Sequence, residues 1–429
     1  MSLHAETADA DGHGARGPLA GCRVVELGST VAGPFCARLL ADFGADVVKI
    51  EQIEGDAVRS MGKRKDGRSL YAASILRNKR ILAANMRSDE GRTLARRLCE
   101  RADIVVENFR PGTLERWGLG YDALSEVNPG VVHVRISGFG QDGPKSQSPG
   151  YGVVCEAFSG LREITGDPDR PPARVAVSMT DYITGLYAAY AAALALHDRA
   201  RTGRGQVVDA ALYESAFSFM EPHVPAYQQL GHVATRAGSR LPDHTPNTLY
   251  RARDGFIHIT AGAQSVFARL AGVMGRPELV DDPRFATAVA RSAHEDEIDA
   301  EIEGWTRKLP LAQIERLLEE AAVPASRIYT MADIFADPHY AARDMLAQAD
   351  DPVLGPVAMP AVVPRLSRTP GAVRWAGHDI GQDSAAVLRD ELGLDAAEIA
   401  RLAEAGVVAL GTAPETARNT GAKGAAHGG

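Results

Sequence analysis

Short apolar runs alternate with amphipathic segments through the first half of the chain, from about residue 23 to residue 220. The runs that predict strands are Val24–Leu27, Val47–Ile50, Ile104–Val106, Val131–Ile136 and 206–211. The segments that predict helices lie near Pro34–Phe43, Arg92–Arg101 and Leu124–Val127, followed by a longer Ala-rich helix that reaches about His197. Strands separated by helical segments form βαβ units, so this pattern predicts an α/β domain with a parallel sheet.

The pattern changes near residue 222, where loops rich in Pro, His and Thr begin. A predicted strand at Gly255–Thr260 and helices at Ser265–Met274, Glu295–Arg307 and Leu311–Ala321 indicate a smaller α+β domain. An apolar run at Val357–Met359 and helices at Ser384–Leu392 and Ala396–Ala405 are predicted to return to the large domain. The predicted organisation is a disordered tail (1–18), the N-terminal part of the large domain (19–222), a linker (223–245), the small domain (246–343), the return to the large domain (344–411) and a disordered tail (412–429).

The composition of the 429-residue chain, with 45% apolar and 24% charged residues, is typical of a globular protein. Its formal charge is −8, from 47 basic and 55 acidic side chains, which argues against nucleic-acid binding and fits small-molecule chemistry. The twelve histidines show no H-x-x-x-H or H-E-x-x-H spacing, so no metal site is predicted.

Four widely spaced cysteines, without a C-x-x-C pair, are typical of reduced thiols in the cytoplasm. Residues 1–18 lack the apolar core of a signal peptide, and the Ala-rich stretch 188–196 is too short to span a bilayer. The sequence therefore predicts a cytoplasmic protein without membrane association.

A single carboxylate, Asp181, lies where the apolar run Val175–Ser178 gives way to the Ala-rich helix. If the run is a strand, Asp181 stands at a strand-to-helix junction, where free N–H groups and the helix dipole keep a carboxylate ionised. An ionised, positioned aspartate can act as a nucleophile toward an activated acyl group. The alternative is that Asp181 only caps its helix, and this stretch alone does not decide between the two.

Glu51 ends the second predicted strand, where an acid can hold the ribose hydroxyl of a dinucleotide. The preceding turn, Gly28 to Pro34, lacks the G-x-G-x-x-G pattern through which backbone reaches a pyrophosphate. A nicotinamide cofactor, and with it a dehydrogenase, is therefore disfavoured. Another nucleotide-bearing ligand at these strand ends stays open.

The segment Val106–Gly112 begins at a predicted strand end and is followed closely by Arg116. It brings together an amide, an aromatic ring and arginines, which can stack an adenine and pair with phosphates. A loop with ordinary surface arginines explains the same residues equally well.

Several stretches of the chain resemble the motifs of the class III CoA-transferases, the family of formyl-CoA transferase and carnitine CoA-transferase. They are Ala32–Pro34, Gly44–Glu51, Val106–Gly112, Ile136–Gly140, Asp181–Gly185, Thr202–Asp209, Val387–Gly393 and Ala405–Val408. The resemblance extends from about residue 20 to residue 409 in the order of the family, which makes it specific.

The resemblance implies a Rossmann-like large domain built from both ends of the chain, with a small domain inserted between them. It implies a homodimer whose two chains interlock like linked rings, although some family members need a related second subunit. Asp181 matches the nucleophilic aspartate of the family, which forms a mixed anhydride with the acyl group and then a thioester with coenzyme A. Acyl-CoA and a small carboxylic acid are then the substrates, and no permanently bound cofactor is expected.

The positions that match CoA contacts of the family lie mostly near the predicted strand ends. They are Val31, Ala32, Gln52, Arg87, Asn108, Phe109, Arg110, Arg116 and Tyr151. Gln52 stands where the family often has an arginine. Arg87 replaces the usual lysine and keeps a positive charge for a phosphate.

Three positions separate the subfamilies. The racemases of this fold carry a histidine at position 151, where this chain has Tyr151. A phenol is a poor substitute for a base that shuttles a proton near neutrality, which disfavours an α-methylacyl-CoA racemase. Formyl-CoA and oxalate enzymes resemble one another in having Gln at position 31 and Glu at position 152, whereas this chain has Val31 and Gly152.

Residues 324–339 resemble the members that use succinyl-CoA as donor and a dicarboxylate or hydroxy-dicarboxylate as acceptor. A second carboxylate on the substrate needs a cationic partner, and the candidates are Arg236, Arg240, His244 and Arg327. The sequence therefore predicts a succinyl-CoA:dicarboxylate CoA-transferase. A racemase and a non-catalytic CoA-binding module are the alternatives.

Overall fold

The computed structural model describes residues 17–411. Most of both predicted tails, residues 1–16 and 412–429, lies outside the described residues. The strands, numbered along the chain, are β1 (Arg23–Glu26), β2 (Asp46–Glu51), β3 (Arg64–Lys65), β4 (Arg68–Ser69), β5 (Lys79–Ala84), β6 (Ile104–Glu107), β7 (Val132–Ser137), β8 (Val207–Ala211), β9 (Asn247–Arg251), β10 (Phe256–Thr260), β11 (Ala325–Arg327), β12 (Leu346–Asp351), β13 (Gly355–Pro360) and β14 (Val408–Ala409).

The helices are α1 (Ala32–Asp42), α2 (Leu70–Ile75), α3 (Asp89–Cys99), α4 (Thr113–Arg116), α5 (Tyr121–Val127), α6 (Gly152–Phe158), α7 (Met179–Thr202), α8 (Leu212–Phe217), α9 (His223–Leu230), α10 (Gln264–Val273), α11 (Ala288–Ala293), α12 (Glu295–Thr306), α13 (Leu311–Glu320), α14 (Met331–Ala336), α15 (Pro338–Ala342), α16 (Ser384–Leu392) and α17 (Ala396–Glu404). Short 3-10 helices cover Ala57–Ser60, Ser218–Met220 and Pro277–Val280.

A seven-stranded sheet in the order β14-β5-β2-β1-β6-β7-β8 organises the large part of the protein. Each neighbouring pair in this sheet is parallel except β14 and β5, which are antiparallel. The predicted α/β class with a large parallel sheet is confirmed. Sequence reasoning missed β5, because Lys79 and Arg80 begin this strand and interrupt its apolar pattern.

Alternate residues of the central strands enter two separate cores, one on each face of the sheet, as the strand period requires. Val24, Val106 and Val134 belong to the core that includes residues of α1 and α7. Val25 and Val105 belong to the opposite core, with residues of α3, α16 and α17. Burial on both faces explains why these strands read as continuous apolar runs in the sequence.

Helices α1 and α7 pack closely because small residues line their contact. A Cβ added to Gly185 would meet the carbonyl oxygen of Ala32 at 2.8 Å, so the two backbones nearly touch there. Ala188 and Ala192 lie further along α7 and are buried in the same core. α1 follows β1 directly, so this contact brings the N-terminal turns of both helices to the edge where the parallel strands end.

The predicted strand at Val175–Ser178 is wrong, because these residues form no strand in the structure. Val175 and Val177 are exposed, and their apolar side chains take no part in the sheet. α7 begins at Met179 and continues to Thr202, beyond the predicted end near His197. Asp181 therefore lies in the first turn of a long helix that no strand precedes directly. Neither α7 nor any other helix among residues 17–411 is long and apolar enough to cross a membrane.

The chain divides into two compact units. Of the described residues, the large unit contains 17–159, Val175–Glu221 and 342–411, and the small unit contains Gly160–Arg174 and Pro222–Ala341. In the small unit a three-stranded antiparallel sheet, β11-β10-β9, shares a core with residues of α10, α12 and α13.

The small unit extends further than the domain predicted at 246–343. It includes α9 and the rest of the predicted linker 223–245, together with Gly160–Arg174. Arg236 Nη1 contacts Glu163 Oε1 at 2.7 Å across 73 residues of sequence, and the neighbouring Gly238 N donates to Gly166 O at 3.0 Å. Hydrogen bonds between segments so far apart in sequence leave no trace in the local pattern of residues, which is why the sequence did not group them.

Candidate active site

Asp181 lies in the first turn of α7, with its carboxylate against the first residue of α6. A Cβ placed on Gly152 would come within 2.0 Å of Asp181 Oδ2, so only glycine leaves room for the carboxylate. Ser178, rather than Asp181, is the N-cap residue of α7. The carboxylate thus lies beside the N-terminal turns of two helices, whose partial positive charge favours its ionised form.

A cavity of about 330 Å³ opens beside Asp181, where β1, β6 and β7 end. Its walls are formed by Ser29, Thr30, Ala32, Asn108, Phe109, Arg110, Pro111, Ile136, Ser137, Gly138, Ser146, Ser148, Pro149, Gly150, Tyr151, Asp181 and Leu212. The structure therefore brings together six of the residues that the sequence assigned to the site, namely Ala32, Asn108, Phe109, Arg110, Tyr151 and Asp181.

The four remaining predicted CoA contacts, Val31, Gln52, Arg87 and Arg116, are not part of this wall. Val31 is buried in a small core of the large unit. Gln52 follows β2, Arg87 lies three residues after β5, and Arg116 ends the helix that follows β6. These three residues are therefore on the same edge of the parallel sheet as the cavity, where ligands of such sheets bind.

Asn108 holds the turn between β1 and α1. Its Oδ1 accepts from Ser29 N and its Nδ2 donates to Ser29 O, both at 2.8 Å. Thr30 adopts a left-handed φ of 70°, and its N–H donates to Asp56 Oδ1 at 3.0 Å, which stabilises this unusual conformation. The amide that the sequence assigned to ligand binding therefore fixes the cavity wall around Thr30 and Ala32.

A buried ion network lies next to this turn. Lys49 Nζ contacts Glu26 Oε1 at 2.9 Å and Asp56 Oδ2 at 2.8 Å, and it donates to Gly28 O at 2.6 Å. Lys79 Nζ contacts the other oxygen of Glu26 at 2.6 Å. Burial tends to raise the pKa of Asp56, but Lys49 and backbone N–H groups outweigh burial and lower this pKa to about 2. Two ammonium groups thus face two carboxylates, so the turn is held without an uncompensated buried charge.

Glu51, the acid that suggested a dinucleotide site, is already paired within the protein. Its Oε1 contacts Arg59 Nη2 at 2.8 Å, and its Oε2 accepts from Arg59 Nε and from Asp56 N, each at 3.0 Å. The carboxylate is buried, and both of its oxygens already accept hydrogen bonds from the protein. This pairing gives the acid a structural role at the end of β2, in contact with Asp56 and Arg59.

The loop between β7 and α6 forms the other side of the cavity. Gly138 and Gly150 touch through their backbones, since a Cβ on Gly138 would meet Gly150 Cα at 2.8 Å. Behind them the Cys155 thiol donates to Gly138 O at 3.2 Å. Burial, and then the charge of Asp181, raise the pKa of Cys155 to about 11, so the thiol stays a protonated donor. The motif Ile136–Gly140 marked the start of this loop, but no signal in the sequence marked Cys155.

Two phenols that sequence reasoning missed lie close to the nucleophile candidate. Tyr182, the neighbour of Asp181, shares a hydrogen bond of 2.7 Å with Tyr71, hydroxyl to hydroxyl, across 111 residues of sequence. Tyr182 also packs edge-on against Phe35 of α1, with ring centroids 4.6 Å apart. Burial, the bond to Tyr182 and the charge of Asp181 raise the pKa of Tyr71, so this phenol is neutral. These contacts fix the start of α7 against α1 and α2.

The aromatic ring and the arginines of the Val106–Gly112 segment differ in exposure. Phe109 is half-buried against Trp117, with ring centroids 5.1 Å apart, which holds the Phe109 ring at the cavity. Arg110 and Arg116 are exposed, and Arg116 Nη2 donates to Thr113 Oγ1 at 3.0 Å. The segment therefore offers a fixed ring beside charges that can turn toward an anionic ligand.

The arginines of the small unit that the sequence offered for a second substrate carboxylate already have acidic partners. Arg240 Nη2 contacts Asp299 Oδ2 at 2.8 Å, and Arg327 Nε contacts Glu315 Oε2 at 2.8 Å. Arg236 pairs with Glu163, as described above, and His244 is exposed. The structure thus gives these arginines partners within their own unit.

CoA-transferase family III is the family whose model matches the chain, over residues 19–384. The succinyl-CoA–D-citramalate CoA-transferase of Chloroflexus aurantiacus is 46% identical over 388 residues, which cover 90% of this chain and 96% of that protein. The β subunit of the succinyl-CoA–L-malate CoA-transferase of the same organism is 40% identical, over 88% of this chain and 95% of the subunit. A CaiB/BaiF family protein from Brucella suis has a similar crystal structure, with a TM-score of 0.79 and 35% identity, covering 88% of this chain and 100% of that one.

Proposed function

The chain belongs to CoA-transferase family III and is a CoA-transferase, and we propose that it moves CoA from succinyl-CoA to a dicarboxylate or hydroxy-dicarboxylate through covalent intermediates on Asp181. The observation that carries this proposal is the position of Asp181 at the cavity wall, against Gly152 and beside two helix N-terminal turns. Helix N-terminal turns favour negative charge, and a carboxylate placed beside them at a cavity wall suits the role of a nucleophile.

Four acyl exchanges complete one turnover. The Asp181 carboxylate attacks the thioester carbonyl of the donor, which forms a mixed anhydride and expels the CoA thiolate. The thiolate attacks the aspartyl carbonyl of this anhydride, which gives an aspartyl–CoA thioester and releases the donor acid. The acceptor carboxylate attacks that thioester and forms a second anhydride, and the expelled thiolate then attacks the acceptor carbonyl and frees Asp181. Each step exchanges one activated acyl bond for another, so the chemistry needs no permanently bound cofactor.

The tetrahedral intermediates on the aspartyl carbonyl need hydrogen-bond donors beside Asp181. The first turn of a helix has N–H groups without partners inside the helix, and such groups stabilise oxyanions. α6 begins at Gly152, in contact with the carboxylate. We therefore assign the oxyanion donors to the first turn of α6.

The CoA molecule is longer than the cavity, so we place its thioester end in the cavity and its nucleotide along the sheet edge. Phe109 offers a ring for the adenine, and Arg110 and Arg116 offer exposed charges for phosphates. Arg87 and Gln52 follow the neighbouring strands on the same edge. This placement accounts for Gln52, Arg87 and Arg116, but not for Val31, which is buried in the protein.

The relatives support the choice of substrates. No charged side chain of the cavity wall is assigned as the partner of a second substrate carboxylate. The two curated relatives are named for succinyl-CoA as donor and for D-citramalate or L-malate as acceptor. Both acceptors are hydroxy-dicarboxylates, which matches the class that the segment 324–339 indicates.

We propose a homodimer as the active assembly, with the interlocked chains that the family resemblance implies. The apolar side chains Leu186, Tyr190 and Leu194, spaced four residues apart on α7, form one exposed face of this helix. Val154 and Phe158 on α6 are also exposed. Large exposed apolar faces mark sites of association. Because one relative is named as a β subunit, a related second chain is the alternative partner.

Trapping with hydroxylamine tests the covalent mechanism. The protein is incubated with succinyl-CoA and hydroxylamine, and the peptides are mapped by mass spectrometry. We expect a hydroxamate on Asp181 and none at this position in the Asp181→Asn variant. Asp198→Asn changes a partly exposed aspartate on the same helix, paired with Arg201, and should keep wild-type activity. An unmodified Asp181 across a panel of acyl-CoA donors would contradict the mechanism.

The Asp181→Asn variant also separates the alternatives. Lost transfer with retained CoA binding supports the enzyme, whereas equal background exchange by the wild type and the variant indicates a binding module. Epimerisation of a 2-methylacyl-CoA by the wild type, without exchange of CoA between acids, would indicate a racemase even though Tyr151 replaces the histidine.

A further inference from the structure

Three charged side chains lie side by side on the neighbouring strands β6, β7 and β8. The parallel register pairs Glu107 with Arg135, and Arg135 with Asp209, so all three residues lie in one row across the sheet. Arg135 Nε contacts Glu107 Oε1 at 3.2 Å, and Arg135 Nη2 contacts Glu115 Oε1 at 2.8 Å. Glu107 is buried and Arg135 is nearly so, which shields this row from the screening that weakens surface ion pairs.

The two carboxylates of this row each hold a backbone N–H of a different cavity loop. Glu107 Oε2 accepts from Phe109 N at 2.7 Å, at the start of the loop that contains Arg110. Asp209 Oδ2 accepts from Gln141 N at 2.9 Å, in the loop between β7 and α6. The cavity wall contains residues of both loops.

The charges around Arg135 are mainly negative. Glu107 faces it from β6, Glu115 from α4 and Asp209 from β8, and Asp142 lies close enough to Asp209 to influence it. Burial raises the pKa of Glu107 to about 7, while the Phe109 N–H and Arg135 act against this rise. Burial also raises the pKa of Asp209, and Arg135 again acts against it. Without the arginine both carboxyls would take up protons more easily and would accept weaker hydrogen bonds from the loops.

We propose that Arg135 is a positioning residue that holds the loop at Phe109 through its ion pair with Glu107 and supports the loop at Gln141 through the charge it presents to Asp209, its neighbour in the register, so that CoA affinity depends on the charge of a side chain placed behind the loops. The identity of the ligand rests on the function proposed above. The row of charges keeps Phe109 in the same cavity wall as Gly138 and Gly150.

Calorimetric titration with CoA, combined with steady-state kinetics, tests this role. Arg135→Met keeps an unbranched chain about as far as the position of Nε and removes the guanidinium charge, and Arg135→Lys keeps the charge. We expect Arg135→Met to raise the Kd for CoA and the KM for succinyl-CoA about tenfold, the factor carried by one hydrogen bond to a charged group. Arg135→Lys should recover part of this loss, and the KM for the acceptor acid should change less than about twofold in both variants.

Arg80→Met is the matched control. Arg80 also lies in the parallel sheet and contacts two carboxylates, Asp46 at 2.9 Å and Glu391 at 2.7 Å, but Asp46 begins β2, so this pair lies at the opposite edge from the cavity. Its loss should lower the melting temperature without changing the Kd for CoA.

The outcomes separate the inference from the proposed function. If the wild type does not bind CoA, the proposed function and this inference both fail. If the wild type binds CoA and folded Arg135→Met binds it equally well, this inference alone is overturned. If Arg135→Met does not fold, the near-isosteric Glu107→Gln and Asp209→Asn variants decide: weaker CoA binding in both supports the role, and unchanged binding in both overturns it.

Discussion

Gly152 and Asp181 are so close that the nucleophile candidate occupies the space where any other residue would place its Cβ. The distance from that Cβ to Asp181 Oδ2 would be 2.0 Å, far below any van der Waals contact. The first residue of α6 therefore sets the position of a carboxylate that belongs to α7, 29 residues further along the chain.

Gly152→Ala should abolish most of the CoA transfer while the protein still binds CoA. The added methyl group must displace the carboxylate, and a displacement of about 1 Å at a reacting group costs roughly a hundredfold in kcat. Gly272→Ala is the control, because Gly272 lies within α10 and a Cβ there meets no atom within 4 Å. Steady-state kinetics and CoA titration measure both variants. A Gly152→Ala enzyme with wild-type kcat would show that the position of Asp181 does not limit the reaction.

Asn108→Asp should weaken both the fold and acyl-CoA binding. The change replaces the Nδ2 donor to Ser29 O by an oxygen, so two acceptors face each other across 2.8 Å. Leaving such a group unsatisfied lowers the free energy of unfolding by about 1–3 kcal/mol, and the loosened turn should raise the KM for succinyl-CoA.

Asn128→Asp is the control for this prediction. Asn128 makes an equivalent pair of backbone contacts, donating to Ala102 O at 2.8 Å and accepting from Gly130 N at 3.2 Å, but it precedes β7 and lies away from the cavity. It should lose similar stability in urea unfolding and keep the wild-type KM. Equal KM changes in both variants would mean that Asn108 has no specific role at the site.

The sequence predicted what depends on local pattern and missed what depends on contacts between distant segments. β1 and β2 were visible because both faces of the sheet bury their apolar residues, and Asp181 was visible through a family motif. β5 could not be predicted from the sequence, because a lysine such as Lys79 is expected at the surface unless its buried contact with Glu26 is known. Cys155 was hidden in the same way, because its only signal is its contact with Gly138.

Asn108 shows a third situation, in which the residue was found but its contacts were not. Sequence reasoning took its amide as a ligand contact, and the structure shows both amide atoms bonded to Ser29, 79 residues away. A motif identifies a residue as important to a site, but it does not distinguish a residue that touches the ligand from one that holds the wall.

Lys49→Met should lower the free energy of unfolding by about 3–5 kcal/mol, because it leaves buried carboxylates without their cation. Glu26 would keep Lys79, but Asp56 would lose the ammonium group now 2.8 Å away. Lys65→Met, on the exposed strand β3, should change stability by less than about 0.5 kcal/mol. Urea unfolding measures both variants. A loss below about 1 kcal/mol in Lys49→Met would indicate that the network rearranges around the missing charge.

Leu194→Arg should convert a dimer into monomers if the exposed face of α7 is the interface. Leu194 is 51% exposed in the single chain, and burying an unpaired guanidinium in its place would cost several kcal/mol. Val127→Arg is the control, because Val127 is 58% exposed on α5 and lies outside this face. Size-exclusion chromatography with light scattering gives the mass. A Leu194→Arg protein that stays dimeric would place the interface elsewhere.

Glu107 should add a pH-dependent term to the free energy of unfolding that the Glu107→Gln variant lacks. Burial raises the pKa of this carboxyl from its ordinary 4.5 to about 7 in the folded protein. When the pKa of a carboxyl is higher in the folded protein than in the unfolded chain, the carboxyl contributes its full stabilisation at a pH below the unfolded-state pKa. This contribution is lost as the pH rises through the folded-state pKa. The stability of the wild type relative to the variant should therefore fall as the pH rises from about 4.5 to about 7.

The pKa of Asp56 is shifted in the opposite direction, so its contribution to stability changes with pH in the opposite sense and in a different pH range. Its pKa is lowered to about 2, so its stabilising contribution is present above the ordinary value of 3.8 and is lost only in stronger acid. Urea unfolding of the wild type and Glu107→Gln between about pH 5 and pH 8 therefore isolates Glu107, because Asp56 stays ionised in both proteins throughout this range. A stability difference that does not change with pH would show that Glu107 is not buried as a protonatable group, and the explanation of its contact with Arg135 would fail with it.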